Sequence, residues 1–205
     1  MSSVLVTGFE PFGGASVNAS WEAVRRLPLR IRNADIHREL IPCTFAGSAS
    51  AVHAALERHR PDVVVCVGEA GSRTRVSIER VAVNLDDARI PDNAGQQPLD
   101  APIDAAGPAA YFSRMPVKAC ALAVDRSGVP AEVSLTAGSY VCNHVFYRLM
   151  RMLEKELPHV VGGFVHVPRG ETIGPDAAER ALRAIIETVL ERGSEDLPLR
   201  GGRED

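Results

Sequence analysis

Cysteine is scarce in this chain. Its 205 residues hold four, at positions 43, 66, 120 and 142, far apart and with no C-x-x-C pair. That excludes a disulfide scaffold and a structural zinc site, and suits a reducing compartment. A strong charge of either sign is also missing. The net charge of -3 offers no electrostatic attraction to nucleic acid or an anionic membrane. No apolar run approaches the ~20 residues needed to span a bilayer. The opening Met-Ser-Ser-Val-Leu-Val-Thr-Gly has no basic n-region or cleavage site and runs straight into a strand, so a cytoplasmic protein is expected. Internal repeats and linkers are absent. Gly13 and Gly14 belong to neither G-x-G-x-x-G nor G-x-x-x-x-G-K-[ST], so no phosphate loop is read there.

What is present is ordinary soluble composition, 45% hydrophobic and 24% charged, with enough chain for one domain and its own core. Strands are expected at Val4–Thr7, Asp35–Ile41, Asp62–Gly68, Arg75–Leu85, Ala131–Thr136 and Gly163–Pro168. The run 62–68 is apolar without alternation, as in a strand covered on both faces. Helices are expected from about Ser20 to Leu27, Ala46 to His59, Pro116 to Arg126, Cys142 to Leu157 and Gly174 to Arg192. Asp86 to Pro108, rich in Asp, Pro, Gly and Gln, reads as a long loop, and loops of that length in a compact domain are usually functional. The alternation predicts a single-domain, three-layer α/β/α sandwich around a largely parallel, mixed central sheet over residues 1–192. Residues 193–205 read as a disordered tail.

The most informative stretch is Ala137-Gly138-Ser139-Tyr140-Val141-Cys142-Asn143-His144. It puts a thiol where a strand gives way to a helix, and unpaired N–H groups at a helix start favour a thiolate. Cys142 is therefore the candidate nucleophile. Among six histidines, His166 stands alone in an apolar strand just before Pro168, and is the candidate base. Ligands of parallel sheets gather beyond the carboxyl ends of the strands. Strand order places there the loops after Val6 and Val67, Cys142 and His166. An acid must orient the imidazole. Glu79, Asp86, Asp87, Asp92 and Glu69 all remain open on residue type, with Glu79 favoured only for lying inside a strand.

Longer motifs then carry a resemblance. Val4-Leu-Val-Thr-Gly-Phe-Glu-Pro-Phe-Gly-Gly14 with Asn18 and Ser20-Trp-Glu-Ala-Val24, Glu79-Arg-Val-Ala-Val-Asn84, Ala88-Arg-Ile-Pro-Asp-Asn93, Gly107-Pro-Ala-Ala-Tyr-Phe112, Val141-Cys-Asn-His144 and Gly162-Gly-Phe-Val-His-Val-Pro168 resemble, in order, pyrrolidone-carboxylate peptidases, or pyroglutamyl peptidases I. The resemblance covers nearly the whole chain. It implies a cytoplasmic cysteine peptidase without metal or cofactor, dimeric or tetrameric, removing N-terminal pyroglutamate from peptides. It selects Cys142, His166 and Glu79 as nucleophile, base and orienting acid. Substrate-binding candidates are Phe9, Phe12, Asn18, Thr44, Glu69 and Val141, and Arg89 is a candidate oxyanion helper. A neutral lactam ring suits aromatic walls such as Phe9 and Phe12.

One departure stands out. The family commonly carries Gly-Gln-Ala-Gly-Gly-Arg where this chain has Gly68-Glu69-Ala70-Gly71-Ser72-Arg73. An ionised Glu69 accepts hydrogen bonds but cannot donate, so it is expected either to bind protonated or to turn toward Arg73. The stretch after His166 is also short, which weakens the implied oligomer. The rival readings are a lactam-binding protein without turnover and a phosphorylase on the same scaffold.

Overall fold

The computed structural model describes residues 2–200. In chain order its elements are β1 (Ser2–Phe9), α1 (Ala19–Val24), β2 (Arg30–Ile31), β3 (Ala34–Ile41), α2 (Phe45–His59), β4 (Val63–Glu69), β5 (Val76–Glu79), β6 (Val81–Val83), β7 (Ala110–Phe112), α3 (Val117–Arg126), β8 (Ala131–Ser134), α4 (Val141–Lys155), β9 (Val161–Val167) and α5 (Pro175–Arg192). Seven strands form one sheet in the order β2-β3-β1-β4-β9-β5-β8, and β6 pairs with β7 separately.

The centre of the sheet, β3, β1, β4 and β9, is parallel. β1, β4 and β9 are largely apolar on both faces, and alternate residues enter two different cores. Val4, Val6, Val63, Val65, Val67 and Val165 pack against α1, α3 and α5. Leu5, Phe9, Val64, Cys66 and Phe164 pack against α2 and α4. The predicted three-layer sandwich is what forms.

Three expectations are corrected. The strand expected over 75–85 is two strands, broken at Arg80. Its N–H donates to Ser134 of the main sheet, while its carbonyl accepts from Ser113 beyond β7. The chain thus changes sheets at a charged residue. Second, β5 runs antiparallel to β9, and β8 follows β5. The strand before Cys142 therefore points against the others, and the thiol reaches the rim through the turn at 135–140. Gly138 supplies the left-handed backbone there, at φ +79°. Third, the segment 193–200 is no loose tail. The Asp196 carboxylate accepts the N–H groups of Lys118 (3.1 Å) and Ala119 (3.0 Å). This caps α3, whose own N-cap, Pro116, makes no side-chain bond. Residues 201–205, also expected to be disordered, lie outside the described residues.

The loop from Asp86 to Pro108 is pinned rather than regular. Asp92, buried, accepts the N–H groups of Phe45, Ala94 and Gln96 at 2.8 Å each. Asn93 donates to Glu10 Oε1 and to the Pro11 carbonyl. Its anchors are thus β1's exit and the start of α2.

Candidate active site

Cys142 is the second residue of α4, and Tyr140, the N-cap, provides no side-chain hydrogen bond to the helix start. The N–H groups of that first turn are left directed outward. The next residue fixes the helix laterally. Asn143, fully buried, accepts the N–H of Val83 at 3.0 Å and donates to the carbonyls of Val83 (2.9 Å) and Leu85 (3.0 Å). His144 Nδ1 adds a 2.8 Å contact to Asp86.

The sulfur lies over Gly68. A Cβ at that position would be 2.7 Å from Cys142 Sγ and 2.9 Å from Phe164 Cζ. Only glycine allows the helix start to come this close to β4. Gly68 is also the residue paired with His166 across the β4–β9 ladder. Thiol and imidazole therefore belong to one small area of the sheet face.

His166 Nδ1 lies 2.8 Å from Glu79 Oε1, with His166 at 4% exposure and Glu79 at 0%. Register explains the pairing. Glu79 stands opposite Phe164 on β9, and His166, two residues on, shares that face. The same Glu79 Oε1 receives Arg73 Nη1 at 2.5 Å, while Arg73 Nη2 donates to the Thr136 carbonyl at 2.6 Å. Glu79 Oε2 is buried without a hydrogen-bond partner.

Cys142 and His166 open into a cavity of about 420 Å³, together with Phe9, Phe12, Asn18, Cys43, Glu69, Arg73, Arg89 and Tyr140. Larger clefts exist, but the one at Phe112 and Arg114 contains none of these side chains. Phe12 lies 6.1 Å from the Tyr140 ring, and Phe9 lies 6.4 Å from Phe164. The wall is thus aromatic and continuous with the core.

A sequence model of pyroglutamyl peptidases matches residues 2–182. The pyrrolidone-carboxylate peptidase of Streptomyces coelicolor is 49% identical, over 89% of this chain and 85% of that one. Pyrrolidone-carboxylate peptidase 1 of Ralstonia nicotianae is 48% identical over 99% of each chain. The crystal structure of pyroglutamyl peptidase I from Bacillus amyloliquefaciens superposes with a TM-score of 0.90 at 41% identity, covering 96% of this chain and 100% of that one.

The chain belongs to the pyroglutamyl peptidase family. It is accordingly an enzyme, a cysteine-type peptidase. Within this member of the pyroglutamyl peptidases, the residues carried from the sequence fall into three groups.

Cys142, His166 and Glu79 come together, and Phe9, Phe12, Asn18, Glu69 and Arg89 line the cavity beside them. Asn18 also has a local duty. It caps α1, accepting from Ser20, and donates to the Glu10 carbonyl. Thr44 and Val141 are not on the cavity wall. Thr44 Oγ1 caps α2 through Gly47 N–H at 3.1 Å, and the Val141 side chain is wholly buried. Cys43, one residue before Thr44, is on the wall instead. Sequence reasoning did not place Cys43 there. The cue available was Thr44 itself, a good N-cap just ahead of an apolar helix.

Glu69 did not turn toward Arg73. Its Oε2 accepts the N–H of Ala19 at 2.8 Å, and its Oε1 lies 3.4 Å from Arg169 Nε. Arg73 is already taken by Glu79. Arg73 and Tyr140 also line the cavity, and sequence reasoning missed them. Tyr140 OH donates to the Pro91 carbonyl and so ties the long loop to the helix start.

The electrostatics of the thiol run against the simple helix-terminus expectation. Burial pushes Cys142 well above the ordinary thiol range, with Cys43, Glu79 and Glu69 adding to the rise and Arg73 opposing it. Desolvation is the largest of these influences on the sulfur. His166 lines the same cavity.

Among the described residues no cluster of His, Cys, Asp or Glu is built to hold a metal ion. No helix among them is long and apolar enough to cross a membrane.

Proposed function

We propose that this chain removes the N-terminal L-pyroglutamyl residue from peptides through a Cys142–His166–Glu79 relay and a thioester intermediate. The observation that carries the proposal is the buried 2.8 Å His166–Glu79 contact opening on the cavity that holds the Cys142 sulfur. Glu79 engages Nδ1 and leaves Nε2 for the thiol.

As Sγ attacks the pyroglutamyl carbonyl carbon, its proton passes to His166 Nε2. Glu79 stabilises the imidazolium. The oxyanion is held by N–H groups at the uncapped start of α4, with Arg89 approaching from the rim. Collapse breaks the C–N bond, and Nε2 returns the proton to the leaving amine. Water, deprotonated by the same nitrogen, then cleaves the thioester and restores the thiol. Phe9 and Phe12 flank the lactam ring. Cys43 and Asn18 close its end of the cavity. Glu69, already bonded to Ala19 N–H, presents an acceptor suited to the lactam N–H rather than its carbonyl.

The four free cysteines fit a reducing cytoplasm. A homo-oligomer follows from the family resemblance, and sedimentation of the purified protein checks it.

A fluorogenic pyroglutamyl amide tests the reaction. Release by the native protein, with a loss of at least about 10³-fold in Cys142→Ser, is expected. No release, with retained binding of free pyroglutamate, would establish the lactam-binding alternative. Release dependent on inorganic phosphate would move the chain to the phosphorylase reading.

A further inference from the structure

Arg73 lies in the turn after β4, where its N–H closes onto the Ala70 carbonyl at 3.0 Å. Its side chain then reaches two groups that the chain brings from far apart. Nη1 contacts Glu79 Oε1 at 2.5 Å, on β5, and Nη2 contacts the Thr136 carbonyl at 2.6 Å, in the turn leading to α4. One planar guanidinium thus spans the acid that orients the base and the segment that delivers the nucleophile. Lysine cannot serve both geometries at once. The side chain is 21% exposed and Glu79 is 0% exposed, so the ion pair is largely removed from solvent.

The geometry points to Arg73 as a positioning residue that sets both the placement of the Cys142 segment relative to His166 and the charge that Glu79 presents to the imidazole. It rests on the proposed relay, and touches neither the thiol nor the imidazole by a hydrogen bond.

The charge logic follows from the shared oxygen. Glu79 Oε1 serves Arg73 and His166 together, while Oε2 has no partner. Arg73 neutralises part of the carboxylate charge that faces the imidazole. The groups facing this pair are Glu79 on β5, Cys142 on α4, Glu69 at the end of β4, and Cys43 and Arg89 across the cavity. Arg73 is the cation among them joined to Glu79. Removing it strengthens the pull of Glu79 on the imidazolium. It also removes a cation that lowers the Cys142 thiol. Without Arg73 the thiol therefore moves to higher pH.

Two variants separate placement from charge. Arg73→Gln is expected to lower kcat by about 10–100-fold with KM within about threefold. It should also shift the pH dependence of Cys142 alkylation up by about one unit. Arg73→Lys keeps the cation but not the second hydrogen bond. It should lose kcat with its alkylation profile within about 0.3 unit of native, because the charge is retained. Alkylation of Cys142 by iodoacetamide, followed across pH by peptide mass spectrometry, reads the same shift without any pyroglutamyl substrate. It therefore remains decisive even if the proposed substrate is wrong. An unmoved alkylation profile in a folded Arg73→Gln protein would overturn the inference. So would a lysine variant with native kcat. Should Arg73→Gln fail to fold, the kcat of Arg73→Lys decides.

Discussion

Replacing Gly68 by alanine is the sharpest test of how the nucleophile is held. The added methyl would lie 2.7 Å from Cys142 Sγ and 2.9 Å from Phe164 Cζ. An ordinary contact between such atoms is about 3.7 Å, so about 1 Å of room must be found. Phe164 has none to give, because its ring is wholly buried against Phe9 and Phe146. The sulfur, at a helix end beside a cavity, is what retreats. Attack requires reacting atoms about 3–3.5 Å apart, and a misplacement of about 1 Å can lower the rate 10²-fold. That corresponds to about 2.7 kcal/mol of barrier. The overpacking itself should destabilise the fold by about 1–3 kcal/mol. Steady-state hydrolysis of a pyroglutamyl amide, with thermal unfolding alongside, measures both. A folded Gly68→Ala enzyme with kcat within about threefold of native would refute the claim that this glycine sets the position of the sulfur.

Other expectations follow from single contacts. Iodoacetamide labelling of Cys142 in the resting enzyme should still be accelerating at pH 9, since burial raises that thiol; a plateau by pH 7 would mean a preformed thiolate. Glu69→Gln keeps the shape of the side chain but removes its negative charge. It should lower KM for a pyroglutamyl amide while leaving kcat within about threefold, because the amide can donate to the lactam carbonyl as well as accept; an unchanged KM would take Glu69 out of ring recognition. Asp196→Ala strips the cap from α3 and should lower stability in denaturant titration by about 0.5–2 kcal/mol with native kcat. Equal midpoints would show the cap to be idle. Acid should weaken the fold through Glu22. Its carboxyl is held below the usual range by hydrogen bonds from Arg25 and Arg26, so this contribution is present above the unfolded pKa and fades as pH falls through the folded one. Glu22→Gln should flatten the stability profile below about pH 4.5.

Much of this architecture was legible because its signals are local. A thiol after a turn and before an amphipathic run, and a histidine inside an apolar strand, are visible in a few residues each. Glu79 was different. Five acids fitted on type alone, and only the longer family motifs chose among them. The choice is physically intelligible once Glu79 stands opposite Phe164, because strand register is a property of two distant segments. The direction of β5 and β8 was hidden for the same reason, since a short apolar strand reads alike in parallel and antiparallel ladders. The break at Arg80 was obscured by apolar residues on either side of one charge. The capping of α2 by Thr44 was not separable from a binding role in the sequence, because a capping hydroxyl and a binding hydroxyl are the same group. The segment 193–200 reads as loose from its glycine and polar residues, yet the N–H groups of α3 had no other cap and Asp196 lay within reach.

The acid and the base are spaced by the rungs of a ladder. Were β5 to slip by one residue against β9, Glu79 would face the opposite layer and the imidazole would lose its partner entirely. A mis-threaded molecule is thus silent rather than merely slow. In a refolding experiment, turnover per milligram would count the molecules whose strands found their places.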